Sequence, residues 1–215
     1  MFRSLRPAQS ARLALLALTL ACQPEPVRIV VKLPKDMPES TQLVPFVPTF
    51  TEKNMSLRLR ASAFDKLERY MGPAKVKWTS SDPSVAVVAQ DGLVTILSSG
   101  KAKITAETTE TQTPLVASIE IPAAIPAKVK IDPPEGDKNP AEIHLGEIKQ
   151  FKAVVLNDRD EPIPDAKILW RSTTYAVTVT PTGEVEGAAM GETQLVAEHK
   201  SYSAKHALNV LDWKK

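Results

Sequence analysis

Ala74-Lys75-Val76-Lys77-Trp78 returns 92 positions later as Ala166-Lys167-Ile168-Leu169-Trp170. Two further blocks keep the same order. Gly92-Leu93-Val94 returns as Gly183-Glu184-Val185, and Gly100-Lys101-Ala102-Lys103-Ile104-Thr105-Ala106-Glu107 as Gly191-Glu192-Thr193-Gln194-Leu195-Val196-Ala197-Glu198, each 91 positions on. Three blocks in register with one residue of slip describe a duplicated unit of about 90 residues, the size of a small β-sandwich.

Within each copy the apolar residues alternate. Leu57, Leu59, Ala61 and Ala63 interleave with Arg58, Arg60 and Ser62, a period of two that buries one face of a strand. Phe151, Ala153 and Val155 are the counterpart, and Val76 with Trp78 repeats the pattern. In the second copy Leu169 interrupts the polar face beside Ile168 and Trp170. Asp91-Gly92, Thr182-Gly183 and Asp82-Pro83-Ser84 are turn signals. Ile104 with Ala106 and Leu195 with Ala197 supply a further strand, and Ile119 with Ile121 and Leu208 with Val210 close the units. The composition agrees with many short elements: 18 prolines, 8 glycines, 43% hydrophobic and 24% charged residues in 215. The expected fold is all-β, two tandem antiparallel sandwiches, with each tryptophan packed between its sheets.

Trp78-Thr79-Ser80-Ser81-Asp82-Pro83-Ser84-Val85-Ala86-Val87-Val88, followed by Gly92-Leu93-Val94 and by Gly100 and Ile104-Thr105-Ala106, resembles the bacterial Ig-like domain of group 2. The second copy is a weaker likeness, with Trp170-Arg171-Ser172-Thr173 and Tyr175-Ala176-Val177-Thr178-Val179 in the corresponding places. Its loop from Asn157 to Asp165 is similar to that of invasin-type Ig-like domains. The resemblance implies Ig-like domains over 27–122 and 127–215, joined by a linker at 123–126. Pro122 and Pro126 lead us to expect a semi-rigid joint that sets the sandwiches roughly end to end. Residues 33–56, rich in proline, fit the pattern least and read as an insertion or a crossing loop.

The N-terminus reads as an address. Residues 1–21 carry Arg3, Arg6 and Arg12, no acid, and a nine-residue apolar run over 13–21. That run is far short of the roughly 20 residues a membrane-spanning helix needs, and the pattern is a secretory signal peptide. Leu18-Thr19-Leu20-Ala21-Cys22 resembles the lipobox of bacterial lipoproteins, although Thr19 and Leu20 depart from its preferred residues. The resemblance implies cleavage before Cys22, lipid attachment on its thiol, and a spacer over 22–26. Gln23 after the cysteine implies sorting to the outer membrane. Thr19-Leu20-Ala21 also fits ordinary signal cleavage, which would give a soluble periplasmic or secreted protein with a free thiol. The signal holds three of the 27 basic residues, leaving 24 against 25 acidic ones, a net charge of −1. We therefore expect no nucleic-acid partner.

Residues with chemical potential are sparse, and we expect no catalytic, cofactor or metal site. His144, His199 and His206 form no metal-binding or helical pair, and His199 and His206 read as solvated or edge-strand residues. Asn157, Asp158, Asp160, Glu161 and Asp165 offer hard oxygen ligands for calcium, but the pattern equally describes a solvated turn. Thr105 to Thr113 reads as a strand end and hairpin tip, with a contact loop as the functional alternative. Tyr70, Tyr175, Tyr202 and Trp213 are candidates for an aromatic sugar platform, scattered in sequence. The expectation is a non-catalytic envelope lipoprotein, attached to the membrane through Cys22. Its tandem domains act as a spacer and interaction module for adhesion or surface assembly, with a protein or glycan partner at the cell surface. The alternatives are an envelope-attached carbohydrate-binding module and an accessory subunit of a larger envelope complex.

Overall fold

A computed structural model describes residues 25–33, 47–134, 136 and 139–213. The signal segment, Cys22 and the start of its spacer lie outside the described residues.

The first half contains β1 (Arg28–Lys32), β2 (Ser56–Arg58), β3 (Arg60–Phe64), β4 (Tyr70–Pro73), β5 (Val76–Ser80), β6 (Ala86–Val88), β7 (Leu93–Ile96), β8 (Gly100–Thr108) and β9 (Val116–Ala123). The second contains β10 (Pro126–Asp132), β11 (Ala141–His144), β12 (Ile148–Gln150), β13 (Lys152–Asn157), β14 (Leu169–Ser172), β15 (Val177–Val179), β16 (Glu184–Gly187), β17 (Gly191–His199) and β18 (Tyr202–Leu211). The fold is all-β, as the alternation predicts, and builds Ig-like sandwiches.

In the first half the sheets run β1-β3-β4, β2-β7-β6 and β5-β8-β9. In the second they run β10-β13, β12-β16-β15 and β11-β18-β17-β14. Leu59, Val94, Ile96, Ile104, Ala106 and Ile121 close one core, and Phe151, Val185, Leu195, Leu208 and Val210 another. Burial of these side chains removes apolar surface from water, the main favourable contribution to folding.

The run from Leu57 to Ala63, expected as one strand, is two. Leu59 ends the pairing of β2 with β7, its N–H donates to the Gly92 carbonyl (2.9 Å), and β3 continues against β1 in another sheet. Phe151 does the same between β12 and β13, donating to the Gly183 carbonyl (2.9 Å). The side chains alternate through the kink, so a single strand and two strands share one hydrophobic pattern. A second departure is the parallel pairing of β11 with β18 within otherwise antiparallel sheets. Phe50 repeats it as a parallel bridge to Ala123, which places the end of the proline-rich stretch in the first core rather than outside it.

The two tryptophans differ. Trp78 is 5% exposed, whereas Trp170 is only half-buried at the edge of its core. Leu169, the residue that breaks the polar face, is exposed.

His206 is a correction. It was expected solvated or on an edge strand, but β18 lies between β11 and β17, and His206 is buried against Phe151 at 5.7 Å between ring centroids. Its Nε2 has no hydrogen-bond partner among the described residues. By strand register it occupies the place of Ile119, since His206 pairs with Leu195 as Ile119 pairs with Ile104. An unpartnered buried polar atom costs about 1–3 kcal/mol. His206→Ile should therefore raise the stability of the second half by roughly that amount, seen as a higher denaturant midpoint at unchanged slope. A lower midpoint would show that the imidazole is satisfied in solution.

Candidate functional site

The contact between the two halves is the most elaborate polar site among the described residues. It starts from the loop at 157–161. Asn157 Oδ1 accepts hydrogen bonds from the N–H groups of Arg159 (2.8 Å) and Glu161 (3.0 Å), while Asp160 takes a left-handed φ of 64°. This closure turns Asp158 and Arg159 toward the first half. Asp158 Oδ1 accepts from the N–H of Ser99 (3.0 Å), and the Asp158 N–H donates to the carbonyl of Ile125 (3.2 Å). The Ile125 N–H donates to Ser99 Oγ at 2.7 Å, with Ser99 fully buried. The Arg159 guanidinium reaches the hydroxyls of Ser98 (3.0 Å) and Ser84 (3.3 Å). At the rim, Lys200 Nζ donates to Thr51 Oγ1 (3.2 Å).

The stretch at 123–126 is strand at both ends, with Ala124 and Ile125 between. Ala123 ends β9, Pro126 opens β10 opposite Asn157, and Ile125 between them is buried in the first core. Backbone groups on both sides are satisfied by the loop and by Ser99, so the joint is held by side chains as well as by its prolines. Asp158→Ala combined with Arg159→Ala should leave each sandwich folded and loosen the joint. Small-angle scattering would report a broader distribution of end-to-end distances than in the parent protein, and an unchanged distribution would show that the linker alone sets the angle.

Three of the side chains considered for calcium are engaged with protein partners, Asp158 across the joint and Asp160 and Glu161 within the second half. Asp158 binds Ser99, Asp160 pairs with Lys128 (2.6 Å), and Glu161 accepts from Asn157 Nδ2 (3.1 Å). Among the described residues no group of three or more His, Cys, Asp or Glu is arranged to hold a metal ion.

The same loop exists in the first half. Asp65 Oδ1 accepts from the N–H groups of Leu67 (2.8 Å) and Arg69 (3.0 Å), and Glu68 has a φ of 59°. The chemistry is exchanged: Asp65 with Arg69 stands where Asn157 stands with Glu161. The Arg69 side chain, then the N–H groups of Arg69 and Leu67, hold the Asp65 carboxyl below the usual aspartate range. A carboxyl with a lowered folded-state pKa stabilises the fold fully above the ordinary aspartate range, and loses that contribution as pH falls through the lowered value. Asn157 does not titrate. Acidification from pH 5 to pH 2 should therefore open the 65–69 loop before the 157–161 loop, read by amide exchange at Leu67 and Arg159. Asp65→Asn should remove the difference.

The remaining candidates are dispersed. His144 stacks on Trp213 (4.2 Å between ring centroids, 17° between planes) and meets Glu147 Oε2 at 3.0 Å, and Trp213 Nε1 donates to the Leu145 carbonyl. His199 Nδ1 meets the Lys167 carbonyl at 2.7 Å. Tyr70 lies on β4 against Phe64, and Tyr202 is half-buried at the β17–β18 hairpin, the end nearer the joint. Tyr175 and Trp213 stand at the opposite end, so the four aromatics form no single platform. The Thr105 to Thr113 stretch is the end of β8 and the hairpin after it, where Thr108 Oγ1 accepts from the Leu115 N–H. An open groove of about 640 Å³ runs beside β4 and β5. Two of its cations are already paired, Arg58 with Asp91 and Lys75 with Glu110.

The fold defines an Ig-like β-sandwich protein. Residues 56–116 match the model of the family "Bacterial Ig-like domain (group 2)". No curated protein matches the chain. Among solved structures it is similar to the S-layer protein rSbsC, at 18% identity over 87% of this chain with a TM-score of 0.39. The chain spans 28% of the length of that structure. It is similar also to domains 4 and 5 of the S-layer protein SbsC (20% identity, 84% of this chain and 97% of that one, TM-score 0.38). Human Protocadherin-24 EC1-2 is 12% identical over 85% of this chain and 97% of that one, with a TM-score of 0.42. Among the described residues no helix is long and apolar enough to cross a membrane.

Proposed function

We propose that the protein is a non-catalytic lipoprotein of the cell envelope, whose two sandwiches form a stiff arm for interaction and surface assembly. The observation that carries this reading is the joint. A loop of one half is hydrogen-bonded into the end of the other through Asp158, Arg159, Ser84, Ser98, Ser99 and Ile125, which holds one angle where a bare linker would allow many. Fixed spacing is what an arm that presents a surface at a set distance requires. The tether is an acyl group on Cys22, supported by the sequence around it, and Gln23 favours the outer membrane. Two or more acyl chains hold a protein stably where a single chain does not.

The test is the intact mass of the mature protein from envelope fractions. An acylated N-terminus beginning at Cys22, and movement of the Cys22→Ser variant to the soluble fraction, support the anchored arm. An unmodified thiol on a soluble protein removes the anchor.

A further inference from the structure

The two halves share the hydrogen-bond pattern of both their ends. At the lower end, the N–H groups of Leu97 and Ser98 donate to the Val85 carbonyl, and those of Ala188 and Ala189 donate to the Ala176 carbonyl. Gly100 pairs with Ala123 as Gly191 pairs with Val210. Ser84, Ser98, Ser99 and Ile125, the residues that receive the 157–161 loop, thus correspond to Tyr175, Ala189, Met190 and Asp212. At the upper end, the 65–69 loop repeats the 157–161 loop, so Leu67 stands where Arg159 stands and Lys66 where Asp158 stands.

One upper loop and one lower end are joined inside the chain. The other two ends are exposed among the described residues, and their side chains differ from those of the joint on both faces. Leu67 is 63% exposed, Tyr175 96%, Met190 66% and Trp213 65%. In the internal joint a long cationic side chain meets short hydroxyls. Placed in the same geometry, the exposed pair sets a short apolar side chain, Leu67, against a long aromatic and an alanine, Tyr175 and Ala189, with Met190 beside them. Polar has become apolar on both faces, and long has exchanged with short. Lys66 stands where Asp158 accepts the Ser99 N–H, a bond an ammonium cannot make, so the contact rests on the apolar side chains. Trp213 is held by its stack on His144 and its bond to Leu145, so it loses little freedom on contact. Tyr, Trp and Met are the residues enriched at the cores of protein interfaces.

We propose that these exposed ends bind each other between copies of this chain: the 65–69 loop of one copy docks on the Tyr175–Met190–Trp213 end of the next, with the placement of the internal joint and apolar contacts in place of its hydrogen bonds. Such a contact is head-to-tail, so it propagates as an open row or closes as a ring. The proposal names the partner of the surface-assembly reading and rests on that reading only for the tether. The six peptide steps from Cys22 to Arg28 span at most about 20 Å, enough for a row lying along a bilayer with each copy anchored beside a joint.

The test uses the mature chain with Cys22→Ser, which carries no acyl group whichever way the export signal is read. Sedimentation velocity at rising concentration should show association without a fixed end-point. Leu67→Asp and Met190→Asp should each weaken it by at least about tenfold. Both sites are exposed, so circular dichroism and melting should remain those of the parent chain. The decisive sample is the mixture of the two variants. One keeps a sound lower end and the other a sound loop, so together they should form a one-to-one dimer that grows no further. Four outcomes overturn the proposal: a monomer at all concentrations, a Leu67→Asp variant that still self-associates, a mixture that stays monomeric, or a Leu67→Asp variant whose only defect is weaker sedimentation with anionic vesicles.

Discussion

Trp78→Ala is expected to unfold the first sandwich, at a cost of about 3–5 kcal/mol. The indole is 5% exposed on β5 and packs in the core with Leu59, Ile104 and Ala106. Its removal loses the transfer free energy of a large aromatic and leaves a cavity that neighbours in paired strands cannot collapse to fill. A small domain has about 5–15 kcal/mol in all, so the loss is a large share of it. Trp170→Ala should cost visibly less, because that ring is half-buried at the margin of its core. Chemical denaturation read by far-ultraviolet circular dichroism would follow both variants. Equal midpoint shifts for the two would mean that the indoles do the same work despite their different burial, and a negligible shift for Trp78→Ala would place its ring outside the core.

The second large effect is expected at a pair of glycines. Gly92→Ala and Gly183→Ala should each destabilise their own half by roughly 3 kcal/mol. The backbone φ values are 81° and 86°, in the region that disfavours a side chain. A Cβ at Gly92 would lie 2.5 Å from the Leu59 carbonyl oxygen, and one at Gly183 would lie 2.5 Å from that of Phe151. These carbonyls belong to the kink where the chain passes between sheets, so they cannot retreat without breaking the bonds from Leu59 to Gly92 and from Phe151 to Gly183. The Trp170 ring stands 3.2 Å from the same Cβ position at Gly183, and the Trp78 ring 3.5 Å from that at Gly92. Gly136→Ala is the comparison: its φ is also positive, at 85°, but no atom of the described residues lies within 4 Å of the added carbon. It should cost less, and the difference isolates the close approach from the backbone preference. Equal losses at all three positions would show that φ alone sets the effect.

The tryptophan and glycine spacing made this packing readable before any coordinates. An indole, a turn glycine and an alternating run recurring in register describe one layered unit made twice, because each part is a local requirement of a β-sandwich. The strand break at Leu59 and Phe151 was not readable, since alternation continues unchanged through it. Nor were the burial of His206 against Phe151 and the parallel addition of β11 beside β18, a pairing between residues 67 positions apart. The shared loop escaped notice because its closing pairs exchange identity, Asp65 with Arg69 for Asn157 with Glu161.

By itself the amino-acid order determined an all-β chain with a duplicated unit, and the alternating apolar side chains that line much of each interior. Those properties follow from periodicity and turn chemistry, which act over a few residues. Only the tertiary structure decided how the copies meet. The joint brings Ser99 to Asp158 and Ser84 to Arg159 across 59 and 75 positions, and each of those residues reads locally as an ordinary polar turn. What distinguishes the ends inside the joint from those exposed among the described residues is the neighbour each is given, and that is a property of the folded surface.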